Sequence, residues 1–106
     1  MPKYMFHGGY TAQGAAGLMK EGGSGRMEAV KNLVASLGGT LESFYWAFGA
    51  EDFYIVAEMP DSHAAAALSL TVGATGAAQV TTAELMTAAD VDDVAHRRAN
   101  YRQPGA

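Results

Sequence analysis

Two runs of aromatic and β-branched residues, 41–48 and 52–59, flank Gly49-Ala50-Glu51-Asp52, and no other feature narrows the fold as much. Side chains alternate between the faces of a strand, so a hairpin made from these runs carries large residues on both sides. With Ala50 and Glu51 as the loop residues, Phe48 falls opposite Phe53, Trp46 opposite Ile55 and Phe44 opposite Ala57. The other face collects Tyr45, Ala47, Tyr54 and Val56, with Ser43 opposite Glu58. A face left to water would carry Lys, Glu and Thr instead, so both faces of this hairpin call for a cover.

The flanking segments supply one cover. Lys3 to Tyr10 reads as a strand ending at Thr11, whose hydroxyl can accept from a free N–H in the first turn of a helix. That helix is broken at Gly22-Gly23-Ser24-Gly25, resumes with Met27, Val30, Val34 and Leu37 at helical spacing, and stops at Gly38-Gly39. Pro60 ends the third strand. Asp61 caps an Ala-rich helix over 62–72, with Ala65, Leu68, Ser69 and Val72 inward. Residues 77–86 form a fourth strand, Thr87 and Asp90 start a last helix in a variant of the capping box, and 101–106 trail as an arm. The order βαββαβ with a C-terminal extra helix is α+β and ferredoxin-like: a four-stranded antiparallel sheet with two helices on one face. The bare face then needs a second copy of the chain.

Tyr10-Thr11-Ala12-Gln13-Gly14, Leu37-Gly38-Gly39, Phe44 to Gly49 with Asp52, and Pro60-Asp61 before an Ala-rich helix together resemble the GYD domain family of small bacterial proteins, over about residues 3–94. The resemblance implies a ferredoxin-like subunit of a dimeric α/β barrel, in a family without an established activity. The length allows a single domain over 1–106, with its core in 3–87 and the last helix and tail in 88–106. At the family's Gly-x-Tyr-Asp signature this chain reads Gly49-Ala50-Glu51-Asp52, so Glu51 stands where the family has tyrosine. Turn chemistry accounts for the retained pair, with positive φ at Gly49 and a turn N–H bonded by Asp52.

At 106 residues the chain has room for one core, and 49% hydrophobic against 17% charged residues is a globular balance. Its net charge is −4 and its basic residues are scattered, which disfavours nucleic acid as a partner. Without Cys there is no disulfide, thiolate nucleophile or Cys-held metal. Neither a signal core nor an apolar run of membrane-spanning length is present, so a cytoplasmic protein with no membrane partner is expected.

The candidate site centres on His7, which interrupts an aromatic strand and shares a face with Met5 and Gly9. On the face of Tyr45, Tyr54 and Glu58 it would place an imidazole, two phenols and a carboxylate in a barrel interior, a set able to orient a carbonyl-bearing ligand and move a proton. On the other face it is a core histidine bonded to a backbone carbonyl or a tyrosine. His96 shares a helix face with Asp92 and Asp93, as a weak divalent site or as a surface charge pair. His63 is a surface residue in a first helical turn. Gly22 to Arg26 is a helix break or, with Lys20, an anion cradle, and fits neither a P-loop nor a nucleophile elbow. Phe44, Trp46, Phe48 and Phe53 read as packing. No metal and no cofactor is expected. The expected function is a homo-oligomeric barrel binding a small, partly apolar ligand in its interior; the alternative is a cofactor-independent enzyme for proton transfer or oxygenation, with His7 as general base and Tyr45 or Tyr54 as donor.

Overall fold

A computed structural model describes all 106 residues. Its elements are β1 (Lys3–Tyr10), α1 (Ala12–Ser36), β2 (Thr40–Trp46), β3 (Phe53–Glu58), α2 (Ser62–Ala74), β4 (Ala78–Leu85) and α3 (Ala88–His96). The four strands form one antiparallel sheet in the order β2-β3-β1-β4, a ferredoxin-like α+β fold with an added C-terminal helix.

Each helix begins where a short polar side chain can hold a free N–H. Thr11 accepts from Gly14 N at 3.2 Å and Asp61 from Ala64 N at 2.9 Å, while Thr87 and Asp90 close a reciprocal capping box. The break in α1 falls at Gly22 alone, whose φ of 76° and ψ of 172° only glycine adopts without strain.

The core lies between the sheet and the two long helices. Tyr4, Phe6, Phe44, Phe53, Ile55, Ala57 and Ala78 point from the strands toward Val34 of α1, Ala65 and Leu68 of α2, and Met59. Met27, expected on the inward stripe of α1, is instead 38% exposed, and Leu33 packs in its place. Phe6 is fully buried, and truncating such a phenylalanine to alanine costs about 3–5 kcal/mol. No helix is long and apolar enough to cross a membrane.

The hairpin register differs from the one expected of a two-residue loop. Trp46 pairs with Phe53, Tyr45 with Tyr54 and Phe44 with Ile55, followed by a bulge between Leu41 and Ser43. The loop therefore spans Ala47 to Asp52. It is longer because Asp52 is drawn onto β1: its N–H donates to Gly8 O at 2.7 Å and its carboxylate accepts from Tyr10 N at 2.8 Å. The positive φ falls on Phe48, at 54°, and not on Gly49. Phe48 is consequently 64% exposed and leaves the aromatic packing cluster assigned to it. The shift of partners is even-numbered, so each residue keeps its face.

Only one sheet face is covered. On the other, Met5 and His7 of β1, Tyr54 and Val56 of β3 and Ala83 and Leu85 of β4 are half-buried, while Tyr45 of β2 is 71% exposed. Twelve of 106 residues are buried, a small core because this second apolar face has no layer over it.

Candidate functional site

Register decides the position of His7. Tyr4 and Phe6 face the helices, so His7 faces away from them, beside Tyr54 on β3 and Thr81 on β4. Its ring lies nearly parallel to that of Tyr54, at 12° with centroids 6.4 Å apart. Tyr54 is paired in turn with Tyr45, which places the imidazole and both phenols along one line across three strands.

The carboxylate that meets this histidine is Glu51. His7 Nδ1 lies 2.6 Å from Glu51 Oε1 and 2.7 Å from Oε2. A carboxylate only accepts, so Nδ1 carries the proton and donates, and Nε2 is left without a partner in the chain. The His7 and Glu51 side chains keep 24% and 31% of their exposure, which is enough desolvation to strengthen the pair over one in open water. The loop holds Glu51 there. Asp52 is fastened to the end of β1 through Gly8 O and Tyr10 N, and the preceding residue is thereby brought over the exposed edge of His7.

Glu58 lies elsewhere. Its strand partner is Lys3, four residues from His7 and so roughly 13 Å along the sheet at about 3.3 Å per residue. It joins a separate charge cluster in which Lys3 Nζ is 2.9 Å from Glu42 and 3.5 Å from Glu58. The hydrogen bond from Lys3 to Glu42, opposed by partial desolvation, raises the ammonium pKa above its usual value. The structure thus brings His7, Tyr45 and Tyr54 together, places Glu58 at the opposite end, and supplies Glu51.

The remaining candidates are local. His96 Nδ1 meets the backbone oxygen of Asp92 at 2.6 Å, and Asp93 pairs with Arg97 at 2.9 Å. His63 is exposed in the first turn of α2. No three His, Asp or Glu residues are grouped as a metal site would require. Arg26, beyond the Gly22 break, lies 3.0 Å from Glu21.

Fold and site together define a ferredoxin-like α+β protein with a polar cluster set into an uncovered sheet face. A family model described as the GYD domain matches residues 4–95. The chain belongs to the GYD domain family. No protein of curated function and no solved structure matches it.

Proposed function

We propose that this chain is the subunit of a cytoplasmic homo-oligomer, closed over the uncovered sheet face into an α/β barrel, that binds a small, partly apolar ligand around His7. The observation that carries the reading is the His7–Glu51 pair, held beside Tyr54 on the one face that no helix covers. A second copy laid on this face would bury Met5, Val56, Ala83 and Leu85 and enclose an imidazole nitrogen and two phenols. These groups suit a ligand with one polar, hydrogen-bonding edge and an apolar remainder.

The test is native mass spectrometry of the full chain purified from its own host. The expected result is an oligomer carrying an added small mass that His7→Leu removes while the oligomer persists. A bare chain of 11.0 kDa, or an added mass indifferent to His7→Leu, overturns the reading.

The same pair favours a second reading, an enzyme without metal or organic cofactor. Glu51 fixes the proton on Nδ1 and leaves Nε2 to act as a general base, with a phenol of Tyr45 or Tyr54 donating to the oxygen where charge develops. Incubation of the loaded wild-type protein in air and in deuterium oxide separates the two. The enzyme reading expects the retained compound to gain oxygen or carbon-bound deuterium with time; the binding reading expects neither.

A further inference from the structure

On the sheet face opposite His7, α1 packs over β2 and α2 over β4, and the two helices diverge above the central strands. The gap is a cavity of about 190 Å³. Its floor is aromatic and aliphatic, from Phe6, Phe44, Phe53 and Ile55, and its walls are Val30 and Leu33 of α1 and Leu68 and Val72 of α2. Four lining residues carry polar side chains: Tyr10, Arg26, Thr71 and Thr75. The threonine hydroxyl protons are already committed, Thr71 to Ala67 O at 2.6 Å and Thr75 to Val72 O at 2.7 Å.

Tyr10 and Arg26 are not. The Tyr10 hydroxyl accepts from Trp46 Nε1 at 2.9 Å, and its own proton finds no acceptor in the chain. Burial pushes its pKa up, so it remains a neutral donor. Arg26 Nε is buried with no hydrogen-bond acceptor: Glu21 Oε1 lies 3.0 Å away, but the N–H does not point at it. Two donor groups without an acceptor therefore line a largely apolar space, and a buried donor left unpaired, as Arg26 Nε is, is rare in folded proteins.

We infer that this cavity is a binding site for a small uncharged ligand, a single ring or short branched chain bearing one carbonyl oxygen, which accepts from Tyr10 and Arg26. An apolar cavity of about 150 Å³ takes benzene, so the larger space here holds a ring with two or three further heavy atoms. The carbonyl is preferred to a carboxylate because Glu21 already balances the Arg26 charge, and a second anion would be desolvated beside a carboxylate. The site lies on the other side of the sheet from His7 and is formed within one chain, so it stands or falls separately from the oligomer.

The experiment uses the full chain with three probes, acetophenone, ethylbenzene and benzoate, followed by methyl and amide NMR shifts. Acetophenone is expected to move the methyls of Val30, Leu68 and Val72 and to bind about tenfold or more tighter than ethylbenzene. Arg26→Met and Tyr10→Phe should each bring acetophenone toward the affinity of ethylbenzene while leaving ethylbenzene itself unchanged. Val72→Phe, which fills the space, should abolish binding of both; if that variant does not fold, the Arg26→Met comparison decides. No shift with acetophenone, shifts centred on Tyr45 and Tyr54 instead, or equal affinity for ethylbenzene overturns the inference. Benzoate binding as tightly as acetophenone overturns the uncharged class.

Discussion

Glu51 controls which nitrogen of His7 holds the proton, although 44 residues separate them in the chain. Replacing it by Gln keeps the size and removes the charge, and the amide no longer demands a donor at Nδ1. In long-range nitrogen–proton NMR spectra at a pH where the ring is neutral, wild-type His7 is expected as the Nδ1-protonated tautomer and Glu51→Gln as a mixture. An unchanged tautomer would mean that Glu51 does not orient the ring. Gly8, the next residue, is held to glycine by space: a Cβ there would stand 1.9 Å from Gln79 O on the neighbouring strand. Gly8→Ala should therefore part β1 from β4 and cost about 2–4 kcal/mol, a fall in melting temperature of about 10 °C or more by calorimetry. The histidine was legible in the sequence because a polar ring interrupts an aromatic strand. Its partner was not, since Glu51 falls in the loop and its reach depends on how Asp52 docks on β1. One signal pointed there: an acid stands in the hairpin loop, at the signature position where the family's tyrosine is expected.

At the scale of elements, boundaries followed local chemistry and registers followed tertiary contacts. Thr11, Asp61 and Thr87 each cap the helix that their sequence neighbourhood implies, because a cap is made within four residues. The hairpin loop came out longer than two residues because long-range bonds from Asp52 to Gly8 and Tyr10 outweigh the compact turn. Face assignments survived because a shift by two preserves alternation. The start of α3 also has a pH signature. The backbone and side-chain hydrogen bonds from Thr87 hold the Asp90 carboxyl below its ordinary value of 3.8. A depressed folded-state pKa adds stability that is complete above the unfolded value and is lost as pH falls through the folded one. The Thr87 amide shift should accordingly titrate with a midpoint under 3.8, and the step should vanish in Asp90→Ala. A midpoint at or above 3.8 would show that the capping box does not hold the carboxylate in solution.

For the whole molecule, the two sheet faces differ in what completes them. Between the helices and the sheet the chain supplies both layers, with a cavity where α1 and α2 diverge. On the opposite face it supplies one layer, containing the apolar residues Met5, Val56, Ala83 and Leu85 and the polar group of His7, Glu51, Tyr45 and Tyr54. That both faces of the hairpin are apolar could be read from residue types alone, and the ferredoxin-like order from the punctuation of Gly, Pro and caps. The cavity could not, because it depends on how far two helices diverge, which no periodicity encodes. The oligomer we propose has a second copy covering the His7 face. Sedimentation equilibrium of the wild type and Val56→Arg at micromolar concentration tests it directly, since a buried arginine at the middle of that face has no partner. The wild type is expected as a species of two or more 11.0 kDa chains and Val56→Arg as a folded monomer; a wild-type protein that sediments as a single 11.0 kDa chain would show that no second copy covers this face.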